Sequence, residues 1–163
     1  MRLARAVATV GGVGLLRPAP GTWGSAAALP LGWLAMQGGP VAFTLLCAAA
    51  FPLAWWSVAA ATRGAADHDP GEIVVDELLG QWIALLPVAW GAARAGVPVE
   101  ALWPGWIAAF ALFRLFDVWK PGPVGWADRR ADAIGVVLDD VVAGAMAALG
   151  VLALAWVAHG LLA

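Results

Sequence analysis

Charged positions fall in short clusters along this chain, and long apolar runs separate them. Residues 41–61 are 21 in a row without a charge, and residues 141–158 are 18. About 20 apolar residues cross a bilayer as a helix. Pro52 interrupts the first run, which membrane helices tolerate. Residues 78–93, 101–113 and 25–36 are apolar as well, but shorter. The pattern predicts five hydrophobic helices, at about 25–37, 41–61, 74–93, 101–117 and 140–158, with Gly38-Gly39-Pro40 turning the first into the second. Segments 25–37 and 101–117 need their flanks to span. The expected fold class is all-α, a multi-helical membrane-associated bundle forming a single domain over residues 1–163.

Composition strengthens the membrane reading. Of 163 residues, 63% are hydrophobic and 12% charged, against roughly 45–50% and 25% in a soluble domain. Mean hydropathy is +0.83. A soluble, very apolar helical core is the competing reading. There are 11 tryptophans and no tyrosine, and Trp favours membrane interfaces. A net charge of −2 without a basic run speaks against nucleic acid as a partner. The single cysteine, Cys47, excludes a disulfide framework or a cysteine zinc site; mid-run, it reads as packing. No cleavable leader is read after Arg2 and Arg5.

With the five helices in place, residues 1–24, 62–73 and 118–139 share one side. Counting helix ends, that side holds Arg2, Arg5, Arg17, Arg63, Arg114, Lys120, Arg129 and Arg130, eight of the nine basic residues; Arg94 is opposite. The positive-inside rule makes it the cytoplasmic side. Ten of the eleven acids follow, Glu100 excepted. Charge so concentrated on one face of a membrane protein points to a polar site there.

Four clusters could carry the chemistry. The first, Pro20-Gly21-Thr22-Trp23-Gly24-Ser25, precedes an apolar helix. Its glycines admit close backbone approach, and Thr22 and Ser25 offer hydroxyls where a helix start attracts phosphate; plain capping explains them equally. The second runs from Asp69 to Glu77. Asp69 and Glu72 suit a first-turn dipole, but Asp76 and Glu77 lie deeper, among apolar neighbours where a bare carboxylate is costly. A cation would relieve them. In the third, Arg114, Asp117 and Lys120 are spaced by three before Pro121. The two cations either pair with Asp117 and the helix C-terminus or hold a phosphate. The fourth is Asp139-Asp140 at the head of the last apolar helix. One aspartate can cap it; two adjacent ones exceed capping and suit a hard cation. Oxygen-only donors fit Mg²⁺ first and Mn²⁺ second. His68 is a weak catalytic candidate, and His159 reads as interfacial.

In this order and spacing the four clusters resemble the phosphatidylglycerophosphatase A family. The motifs are Ala19-Pro20-Gly21-Thr22-Trp23-Gly24-Ser25, Asp69-Pro70-Gly71-Glu72-Ile73-Val74-Val75-Asp76-Glu77 with Gly80, Phe113-Arg114-Leu115-Phe116-Asp117-Val118-Trp119-Lys120-Pro121 with Pro123, and Leu138-Asp139-Asp140-Val141-Val142-Ala143-Gly144. The departure is Asp132-Ala133-Ile134-Gly135, where the family usually has a glycine pair. The resemblance implies a Mg²⁺-dependent phosphatase of the bacterial inner membrane that turns the lipid phosphatidylglycerophosphate into phosphatidylglycerol and phosphate. It would be a multi-pass enzyme with its active site facing the cytoplasm. Asp76, Glu77, Asp139 and Asp140 would hold one or two metal ions. Arg114 and Lys120, with Thr22 and Ser25, would hold the substrate phosphate, and Asp117 would be a further ligand or a partner of Arg114. Water attack and a phosphorylated Asp76 or Asp117 both stay open. The alternative function is a divalent-cation carrier or channel.

Overall fold

The computed structural model describes residues 2–64, 67 and 70–162, with the backbone alone for 159–162. His68 and Asp69 lie outside the described residues, as does the side chain of His159. Among the described residues there are seven α-helices and no strand: α1 (Arg2–Ala8), α2 (Pro20–Met36), α3 (Gly39–Ala61), α4 (Val75–Ala95), α5 (Trp103–Trp119), α6 (Pro123–Asp128) and α7 (Ala133–Leu162). Short 3-10 turns at Val13–Leu15 and Val99–Leu102 lead into α2 and α5.

The five long helices are those the apolar runs announce, but two begin earlier than expected. α2 starts at Pro20, because proline at the first helical position lacks only an N–H that would be unpaired there. Thr22 and Ser25 therefore lie inside its first turns instead of capping it. α7 starts at Ala133 because Asp132 caps it: the Gly135 amide donates to Asp132 Oδ1 at 2.8 Å. Asp139 and Asp140 consequently sit about two turns inside the helix, and neither caps it.

α4 lies at the centre, packed against α2, α3, α5 and α7, and buries Leu78, Leu79, Gly80, Gln81, Ala84, Leu85 and Val88. The helices around it show apolar side chains outward: Leu45, Leu53 and Trp56 on α3, Ile107 and Leu115 on α5, Leu149, Leu152 and Trp156 on α7. Among the described residues three segments are long and apolar enough to cross a membrane: Gly39–Ala61, Val99–Trp119 and Ala133–Ala158. At most 28% of the apolar window in any of them is buried within the bundle, so their apolar surface faces outward, as a lipid-facing helix requires. The short 101–117 run gains its length from the preceding 3-10 turn.

The crossing of α4 and α7 sets the site. A Cβ on Gly144 would stand 2.3 Å from the Gly80 carbonyl oxygen, and one on Gly80 would stand 2.6 Å from the Asp140 carbonyl oxygen. Only hydrogen at both positions lets the backbones meet, the small-residue contact typical of membrane helices. Gly144→Ala forces the helices apart. We expect a loss of about 1–3 kcal/mol of stability, read as a lowered unfolding temperature in detergent. A variant as stable as the wild type would show that the crossing is not tight.

Candidate active site

The ends of α2, α4, α5 and α7 meet at one end of the bundle. α1 and the segment before α4 are tied there: the Val74 amide donates to the Ala8 carbonyl at 2.9 Å, and Arg5 pairs with Glu72 at 2.8 Å. Asp76 and Glu77 occupy the first turn of α4, and Asp140 reaches them across the glycine crossing. Each of these three carboxylates offers an oxygen, and the three oxygens lie within 4.8 Å of one another. Asp76 and Asp140 are buried. Glu77 Oε2 and Asp140 Oδ1 are buried with no hydrogen-bond partner among the described residues. Three acids crowded together, Glu77 and Asp140 each with a buried oxygen that no described residue bonds, fit a hard cation by number and donor type.

Arg114 stands beside this cluster. Its Nη1 donates to Ser25 Oγ on α2 at 3.3 Å and to Asp117 Oδ2 one turn along α5. Ser25 is fully buried and donates its own hydroxyl proton to the Gly21 carbonyl at 2.8 Å. Gly21 allows the approach: a Cβ there would stand 2.3 Å from Glu77 Oε1 and 3.4 Å from Arg114 Nη1. Thr22 faces outward and is exposed.

Lys120 ends α5 in a left-handed conformation, φ 50°. Its ammonium pairs with Asp139 Oδ2 at 2.8 Å and with Asp128 Oδ1 on α6. Burial works against the Lys120 charge, but hydrogen bonds to Asp128 and Asp139 outweigh it, so the pKa is raised and the group stays protonated. The structure thus separates two neighbours that the sequence treats alike. Asp140 joins Asp76 and Glu77, while Asp139 turns to Lys120. Asp128 joins this site without any motif to announce it, because the turn at Pro121–Pro123 folds α6 back onto Lys120.

A helical bundle with outward apolar faces, one charged end, a carboxylate cluster that could hold a metal ion and two basic groups beside it is the build of a membrane-associated protein with a polar site at one end. Comparison with known proteins makes this specific. Residues 6–155 match the Phosphatidylglycerophosphatase A family. The chain is 37% identical over 145 residues to a phosphatidylglycerophosphatase A of Haemophilus influenzae, covering 88% of this chain and 83% of that protein. It is 35% identical over 140 residues to a phosphatidylglycerophosphatase A of Escherichia coli, covering 84% and 74%. No solved structure gives a significant match. The chain belongs to the phosphatidylglycerophosphatase A family, phosphatases that convert phosphatidylglycerophosphate to phosphatidylglycerol.

Proposed function

We propose that this chain hydrolyses the terminal phosphate of phosphatidylglycerophosphate with Mg²⁺ held by Asp76, Glu77 and Asp140, at the cytoplasmic face of the bacterial inner membrane. This would be the last step of phosphatidylglycerol synthesis. The observation that carries the reading is the convergence of those three carboxylates next to Arg114. Bound there, Mg²⁺ supplies positive charge against the phosphate oxygens.

The chain's own residues do the rest. Arg114 is held by Ser25 and Asp117 so that its guanidinium is fixed before the substrate arrives. Fixed donors stabilise charge as it shifts to the leaving oxygen without reorganising. Asp117 orients Arg114. Lys120, steadied by Asp139 and Asp128, adds a second cation for the phosphate. We assign Asp139 to Lys120 and not to the metal. In this reading Thr22, exposed on the first turn of α2, is a hydroxyl the incoming headgroup would meet. The concentration of basic residues at this end favours the cytoplasmic side, the depth at which a lipid headgroup lies.

The test is phosphate release from phosphatidylglycerophosphate in mixed micelles. Activity is expected with Mg²⁺, to vanish in EDTA, and to return when Mg²⁺ exceeds the chelator. Full activity in EDTA would remove the metal from the reading.

A further inference from the structure

Gln81 lies one helical turn beyond Glu77 on the same face of α4, since residues four apart on a helix stack over one another. Its side chain is completely buried, and neither Nε2 nor Oε1 has a hydrogen-bond partner among the described residues. The other buried side-chain atoms in that condition are Glu77 Oε2 and Asp140 Oδ1. The unmet polar capacity of the described interior is therefore concentrated in one place, at the carboxylates and directly below them.

The face of α4 that carries Glu77, Gln81 and Leu85 runs along α2. A Cβ on Gly21 would meet Glu77 at one end, and a Cβ on Gly32 would come within 3.3 Å of Leu85 at the other. Along α4, Gln81 lies between these two contact positions, and its neighbour Trp82 donates from Nε1 to the Ala28 carbonyl of α2 at 3.0 Å. A primary amide can make four hydrogen bonds, and burying one with none is unfavourable enough that native interiors rarely do so. A buried water commonly resolves this by bonding to about three polar groups. Gln81 and Glu77 are one turn apart on α4, and each carries buried side-chain atoms that no described residue bonds.

We propose that Gln81 is a positioning residue of the site, its amide and Glu77 Oε2 holding an internal water between them. That water fixes the Glu77 carboxylate beside Asp140 and so tightens cation binding. The inference rests on the metal reading above. A purely structural Gln81 would lose nothing on replacement by Met, which nearly matches its shape and has no amide to satisfy.

The experiment is titration of the full-length protein in detergent with Mn²⁺, followed by electron paramagnetic resonance, for wild type, Gln81→Met and Gln81→Asn. Gln81→Met is expected to raise the Mn²⁺ dissociation constant about tenfold, the scale on which groups supporting metal ligands act. Its helix content should be unchanged and its metal-free unfolding temperature equal or higher. Gln81→Asn keeps the amide one methylene back and should fall between. Wild-type affinity in folded Gln81→Met overturns the proposal, as does wild-type affinity in Gln81→Asn should the Met variant fail to fold. Absence of Mn²⁺ binding by the wild type would overturn the metal reading itself, and this proposal with it.

Discussion

Asp140→Asn is expected to lower phosphate release by about 10³-fold, the scale of removing a group that stabilises charge in an active site, while the protein remains folded. The substitution keeps the shape and deletes one negative charge from a buried group of three carboxylates. Without metal, those charges repel one another in a poorly solvated place. The metal-free variant should therefore unfold at the same temperature as the wild type or higher. Mg²⁺ should reverse the order. A ligand at a hundred times its dissociation constant stabilises the folded state by about 2.7 kcal/mol, and the wild type should gain this while Asp140→Asn does not. Asp139→Asn is the informative neighbour. It loosens one of two anchors of Lys120 and leaves the cluster intact, so it should keep the Mg²⁺-dependent stabilisation and lose far less activity. If both variants lost activity and Mg²⁺ stabilisation equally, the four-carboxylate metal set expected from the sequence would be the right one.

That comparison marks where the sequence stops being legible. Asp139 and Asp140 are adjacent, and neighbours on a helix point about 100° apart. Which of them faces α4 depends on how α7 packs, and that rests on the contact between Gly80 and Gly144. No spacing within one helix carries this. The helices themselves were easier. Residues 41–61 and 141–158 have no charge to break them, and the glycines before Pro40 place the turn between α2 and α3 where it is observed, with Gly39 at φ 87°. The start of α7 lies upstream of the polar boundary that Asp139-Asp140 suggests, because the capping group is Asp132, seven residues earlier. The sequence pattern does not mark α1 and α6, because short helices are marginal alone. Tertiary bonds hold them: the Val74 amide to Ala8, and Lys120 to Asp128. Gln81 and Asp128 are single polar residues outside any motif, and only the fold shows what they face.

Arg114 gives the second large effect. Both of its hydrogen bonds among the described residues leave from Nη1, to Ser25 and Asp117. A guanidinium carries five N–H donors in a rigid plane, so in the proposed reading the Nη2 and Nε donors would take the phosphate oxygens. Bidentate recognition of that kind is what lysine cannot imitate. Arg114→Lys should therefore lower kcat/KM by about 10²–10³-fold, although the charge is kept. The loss should fall mainly on kcat, because a positioned fork is worth most when charge builds on the leaving oxygen. Asp117→Asn keeps an acceptor for Nη1 but weakens its pairing, and should lie between Arg114→Lys and the wild type. Ser25→Ala removes the longer of the two anchors and should cost least. Mn²⁺ binding should survive in all three, since none contributes a carboxylate to the Asp76, Glu77 and Asp140 cluster. Near-normal turnover in Arg114→Lys would show that a single positive charge suffices and that the fork geometry is incidental. Loss of Mn²⁺ binding in Asp117→Asn would instead move Asp117 from orienting Arg114 into the metal site.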